Sequence, residues 1–188
     1  MIDQIHESEW PAFMPQAEPT KGSAKEQLAK QAESFYGWYL SVRKESYPPE
    51  GYQGLQHIMQ ICKKNTLSEH EALEALRGLK ELIEDLDGGP KTIDQIPTEI
   101  FHIVDRLTRH NPKSRLVKQA TQVEIAVNLG ESHTPKELYQ LMDKLIEKVT
   151  PEMPMIKAEA ICRTLDEVLG APSPNLKDLK DRISRLVD

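Results

Sequence analysis

The sequence predicts an all-α fold: an irregular antiparallel bundle or short array of about seven to eight helices, preceded by an extended N-terminal arm. Three observations carry that prediction. Apolar residues recur at three- and four-residue spacing, helix start and stop signals mark most boundaries, and no run of four or more residues alternates with period two.

The arm comprises residues 1–22, where Pro11, Pro15, Pro19 and Gly22 are too dense for a helix to run through. Trp10, Phe13 and Met14 lie within it and are larger and more apolar than a free linker needs, so they are expected to dock. Residues 23–188 are read as a single helical domain.

The first helix, about 24–44, starts at a Ser23–Glu26 capping box, in which hydroxyl and carboxylate satisfy backbone donors reciprocally. Leu28, Ala32, Phe35, Tyr39 and Val42 form its apolar stripe. The second, about 53–64, presents Leu55, Ile58, Met59 and Cys62. The third, about 69–86, starts at the Ser68–Glu71 box, buries Ala72, Leu76, Leu79, Ile83 and Leu86, and should end at Gly88. The fourth, about 98–109, uses Ile100, Ile103, Val104 and Leu107. Asn111-Pro112 opens the fifth, about 112–129, with Leu116, Ala120, Val123 and Val127 inward. Proline suits a first helical position because its φ is already helical and its missing donor would have had no partner. Thr134-Pro135, with Glu137 as box partner, opens the sixth over about 135–149. Thr150-Pro151 and Ser173-Pro174 are read as openings for helices over 152–169 and 174–187. Gly130 and Gly170 are expected at helix ends in the left-handed conformation that glycine adopts without penalty.

Short connections predict that sequential helices pack antiparallel. The segments 82–86 and 145–149 resemble each other no more than amphipathic helices generally do. No 34- or 40-residue period indicates a solenoid consensus.

A chain of 188 residues can bury a continuous core without staples. Its net charge of −6 opposes binding to a phosphate backbone, so nucleic acid is not an expected partner. No stretch approaches the ~20 apolar residues of a membrane span. The first residues lack the basic start and apolar run of a secretory signal, which points to a cytoplasmic setting, of the producing cell or of a cell the protein is delivered into. Cys62 and Cys162 lie on apolar helical faces without CxxC or Cys/His spacing, so both are read as buried thiols.

The histidines and carboxylates complete no catalytic or metal motif. Glu99 and His102 make a single Glu-x-x-His, whereas a di-iron bundle needs two with two further glutamates. His70-Glu71 is followed by Glu74 where a zincin needs a second histidine. No nucleophile elbow, activated cysteine or phosphate-cradling glycine loop is present. No cofactor and no metal are therefore expected, and no catalytic residue is assigned.

Two features remain as candidates for partner binding. Aromatic residues crowd the first 52 positions, and one helical face cannot take Phe35, Tyr36, Trp38 and Tyr39 together. They form either a central core helix or an exposed surface with Trp10, Phe13, Tyr36 and Trp38 as contacts. The second is the basic cluster Arg106, Arg109, His110, Lys113, Arg115 and Lys118, which follows an acidic stretch from Glu69 to Asp94. It is either a solvated or internally paired surface or a dock for an acidic or phosphorylated partner. The expectation is a non-catalytic helical adaptor, chaperone or regulatory subunit that uses Trp10, Phe13, Tyr36, Trp38, Arg106, Arg109, Lys113 and Arg115. The alternatives are a small-molecule-binding or enzymatic bundle and a structural homo-oligomer.

Overall fold

A computed structural model describes residues 22–42, 50–128, 136–172 and 174–187. Among these lie eight α-helices and no strand: α1 (Ala24–Val42), α2 (Glu50–Lys63), α3 (Glu69–Leu86), α4 (Ile96–Arg109), α5 (Pro112–Asn128), α6 (Lys136–Lys148), α7 (Met155–Leu169) and α8 (Leu176–Val187). The all-α reading therefore holds. The arm, the Thr134 cap and Gly130 lie outside the described residues.

Helix boundaries follow side-chain caps where these exist. Ser68 Oγ accepts from Glu71 N while Glu71 Oε2 accepts from Ser68 N at 2.7 Å, and Ser23 and Glu26 form the same pair. Asn111 Oδ1 accepts from Ser114 N at 3.1 Å to open α5. Past α3, Gly88 takes a positive φ of 87°.

Three expectations about caps change. Helix α7 starts at Met155, not 152, because a residue preceding proline is driven out of helical geometry, and Met153 precedes Pro154. Helix α8 starts at Leu176 because Asn175 supplies the cap, its Oδ1 accepting from Asp178 N at 3.0 Å. Gly170 ends α7 in right-handed geometry (φ −77°), so its position needs no left-handed residue.

One continuous core runs through all eight helices, with Leu28, Phe35, Tyr39, Leu55, Ile100, Leu116, Met142 and Leu179 shielded from solvent. Two glycines allow close approach within it. A Cβ on Gly54 would overlap Cγ2 of Ile100, so α2 and α4 meet nearly backbone to side chain, and a Cβ on Gly51 would stand 2.7–2.9 Å from the Tyr39 ring.

The helices form two halves with one neighbour pattern. In the first, α1 packs on α2 and α3, and α4 packs on the same two; in the second, α5 packs on α6 and α7, and α8 packs on those. The sequential pairs α2–α3 and α6–α7 thus lie across a diagonal, unlike the sequential packing expected from short loops. Helix lengths repeat as well: 19, 14, 18 and 14 residues against 17, 13, 15 and 12.

Equivalent positions carry equivalent roles. Ser23 and Asn111 each cap the first helix of a half, followed by buried Leu28 and Leu116, then buried Ala32 and Ala120. Lys25 Nζ donates to Asn65 Oδ1, and Lys113 Nζ donates to the Pro151 carbonyl, each tying that first helix to the turn after the second. Ala72, Leu76 and Leu79 of α3 match Ala158, Cys162 and Leu165 of α7, and Ile100 and Val104 of α4 match Leu179 and Ile183 of α8, all buried. The period is too long, and the residue matches too generic, for a short repeat to register in the sequence.

The halves join where α5 lies on α2 and α4. Thr66 Oγ1 sits 2.8 Å from Ser114 Oγ, and Asn111 Nδ2 donates to the Thr66 carbonyl at 3.0 Å.

Candidate functional site

The α4–α5 surface gathers the exposed aromatic and cationic groups. Helix α4 turns Ile96, Ile100, Ile103, Val104 and Leu107 inward. Phe101, one residue past Ile100, is rotated by about 100° off that stripe and is 58 % exposed. Lys118 Nζ of α5 stands 5.9 Å from its ring centroid, a cation–π distance, and the His102 ring meets its edge at 5.9 Å. Arg106 lies one turn further along, with Nε donating to the His102 carbonyl at 3.3 Å. No described carboxylate pairs with the Arg106 or Lys118 head group, so Phe101 with Lys118 on the α5 flank of α4 and Arg106 on its α3 flank, near Gly78, face solvent as an exposed ring and two unpaired cations.

The rest of the predicted basic cluster has internal work. Arg109 pairs with Asp105 one turn back on the same helix. Arg115 binds Asp166 of α7 and approaches Glu159 at 3.9 Å, while Gln119 Nε2 donates to Asp166 Oδ1 at 2.6 Å. Lys113 is held by the Pro151 carbonyl. Arg115 and Lys113 therefore secure α5 to the second half rather than standing free for a partner. The acidic stretch does not neutralise the cluster; its Asp85 and the nearby Glu99 take Lys91 instead, at 3.0 and 3.4 Å.

The aromatic reading divides. Trp10 and Phe13 lie outside the described residues. Trp38 is only 5 % exposed and stacks on Phe35 with centroids 5.3 Å apart, and Tyr39 also stacks on Phe35 at 6.5 Å. Trp38 is thus a core residue, because α2 and α3 both pack along α1 and cover more than one face of it. Tyr36 is half-buried, its hydroxyl accepting from Gln56 Nε2 at 3.2 Å. Phe101 is the residue that sequence reasoning passed over. The signal was present, since a lone aromatic off the apolar stripe of a strongly amphipathic helix has no place in the core.

Nearby, His57 of α2 is 7 % exposed with an unpartnered Nε2, and burial, then the Lys118 charge, lowers its pKa to about 4. It stays a neutral imidazole at physiological pH. Burial pushes the thiols of Cys62 and Cys162 up to about 12, and Cys162 Sγ donates to the Pro112 carbonyl at 3.4 Å. Neither sulfur forms a thiolate nucleophile near neutral pH. Among the described residues no three His, Cys, Asp or Glu side chains converge to hold a metal ion. No described helix is long and apolar enough to cross a membrane.

A concavity of about 680 Å³ opens between α1, α2 and the start of α3. Glu26, Ala29 and Glu33 line one wall and Met59, Cys62 and Lys63 the other. Its opposite charges are spread along the walls without focusing on a point.

Comparison with known protein families, with characterised proteins and with solved structures finds no match for this chain.

Proposed function

We propose that the chain is a non-catalytic protein-binding module whose docking face is the α4–α5 surface around Phe101, Arg106 and Lys118, and that its partner presents an acidic or phosphorylated segment. The observation that carries this reading is Phe101 itself, a large aromatic side chain 58 % exposed beside Lys118, a cation that no described carboxylate pairs. Leaving such a ring in water forgoes burial worth about 1.5–3 kcal/mol. An aromatic anchor with a cation at its ring supplies both the desolvated contact and the charge recognition of a binding hot spot. Arg109 extends the face once a stronger acceptor competes with Asp105. Two unpaired, inert thiols accord with a reducing, cytoplasmic setting.

The test is affinity capture from the native cell with wild type and with the double variant Phe101→Asp, Arg106→Glu. Both residues are exposed, so the variant is expected to keep its thermal midpoint within a few degrees and to lose the captured partner. A folded double variant that retains the full set of partners would overturn the reading.

A further inference from the structure

Among the described residues, the internal repeat leaves two surfaces without a covering helix that match the pair already joined in the middle of the molecule. In that joint, α5 buries Asn111, Ser114, Val117 and Thr121. The equivalent α1 positions are Ser23, Glu26, Ala29 and Glu33, which lie exposed or half-buried along the 680 Å³ groove. The receiving side shows the reciprocal difference. His57, Thr66 and Phe101 of the first half meet α5 through Lys118 and Ser114. Their equivalents are Leu141 on α6, Thr150 after it and Lys180 on α8, where no described helix rests: Leu141 is half-buried and the other two are exposed.

From this we infer that a second copy of the chain docks head to tail, its α1 taking on the α6–α8 face the place that α5 takes on α2 and α4. Shape supports this occupant, because α1 and α5 share their cap, their buried leucine and alanine, and their lysine tie. Charge supports it too. Lys144 and Lys148 share the row of Leu141 at i+3 and i+7, and Lys177 precedes Lys180 on α8, four lysines against the carboxylates Glu137, Glu147 and Asp181 one turn from these positions. Glu26 and Glu33 of the incoming α1 face the lysines. The small Ala29 stands where α5 carries Val117, which lets the two surfaces approach closely. In repeat proteins each unit buries on its neighbour the face it cannot bury alone, and here the two terminal faces are complementary. Such an interface is heterologous, so it propagates into chains or rings instead of closing as a symmetric dimer.

The experiment is sedimentation of the full chain up to about 1 mM, where even weak association registers. Wild type should climb from 21.4 kDa past the mass of a dimer. Two variants each disable one face: Ala29→Trp, whose bulk bars the close approach of α1, and Lys144→Glu with Lys180→Glu, which sets like charges against Glu26 and Glu33. Each alone should remain monomeric, and an equimolar mixture should form a 1:1 dimer that does not grow, since each keeps the face its companion lacks. Wild type that stays monomeric throughout, or assembly that neither variant disturbs, overturns the inference. So does a dimer formed by one variant alone. Zero-length cross-linking of mixed isotope-labelled wild-type chains provides a readout without substitutions. Intermolecular links should join Glu33 to Lys144, Lys148 or Lys180, and links confined to other faces overturn the proposal.

Discussion

Asn111 holds Thr66 across 45 residues of chain: its Nδ2 donates to the Thr66 carbonyl at 3.0 Å while its Oδ1 caps α5 at Ser114 N. The same amide reaches Glu71 Oε1 at 3.1 Å, so one buried side chain fixes the start of α5, the α2–α3 turn and the start of α3. Asn111→Ala should cost about 2–4 kcal/mol, the sum of a lost cap and a stranded buried carbonyl. Asn111→Asp separates the two roles. Aspartate caps an isolated helix as well as asparagine does, yet here it places a carboxylate against the Thr66 carbonyl and Glu71. Chemical denaturation should therefore find Asn111→Asp clearly destabilised, and an Asp variant as stable as wild type would reduce Asn111 to a helix cap.

Trp38 provides a stability test of its core position. Its indole is 5 % exposed and stacks on Phe35, so Trp38→Ala should destabilise the protein by about 3–5 kcal/mol. Phe101→Ala, at a site 58 % exposed, should move the denaturation midpoint little. Equal effects of the two substitutions would contradict the assignment of one to the core and the other to the surface.

Two glycines in helix interiors should respond with opposite signs. On Gly54 a Cβ meets the fully buried Ile100 methyl, which cannot swing aside, so Gly54→Ala should lose about 1–3 kcal/mol through overpacking. At Gly37 a Cβ meets nothing within 4 Å, and Gly37→Ala should gain about 0.5–1 kcal/mol from helix propensity. Thermal unfolding of both variants measures the contrast.

His57 sets an acid limb of stability. Its folded pKa of about 4, lowered by burial and then by Lys118, lies below the unfolded value of 6.5. The unfolded chain therefore binds the proton first as the pH falls. The contribution of His57 is complete above pH 6.5 and declines through the window down to about 4, reaching a loss of about 2 kcal/mol by pH 5. His57→Gln should flatten the stability profile between pH 7 and 5. A profile that keeps its full slope in that variant would show the proton is taken up elsewhere.

The helices were legible because their causes are local. Ser68–Glu71 and Asn111-Pro112 satisfy orphan backbone donors within four residues, and a stripe such as Ile100, Ile103, Val104 and Leu107 can be counted along one helix. The boundaries that moved depend on competition between adjacent signals, as where Pro154 overrode the Thr150-Pro151 opening. Less of the candidate site could be read. Arg115 and Arg106 are both arginines in a basic run, and nothing local distinguishes the one whose guanidinium meets Asp166, 51 residues away, from the one that no described carboxylate meets.

Local periodicity and capping chemistry thus determined that this chain folds into helices, roughly where each begins, and which side of each turns inward. Which helix lies beside which was decided only by tertiary packing. The choice rests on contacts between residues far apart in sequence, such as Gly54 with Ile100 and Thr66 with Ser114. Burial of Trp38, exposure of Phe101 and the doubling of the four-helix pattern all follow from those contacts. An amphipathic helix specifies that its apolar face must be covered, whereas the partner that covers it is selected by the shape and polarity of surfaces that exist only once the other helices have formed.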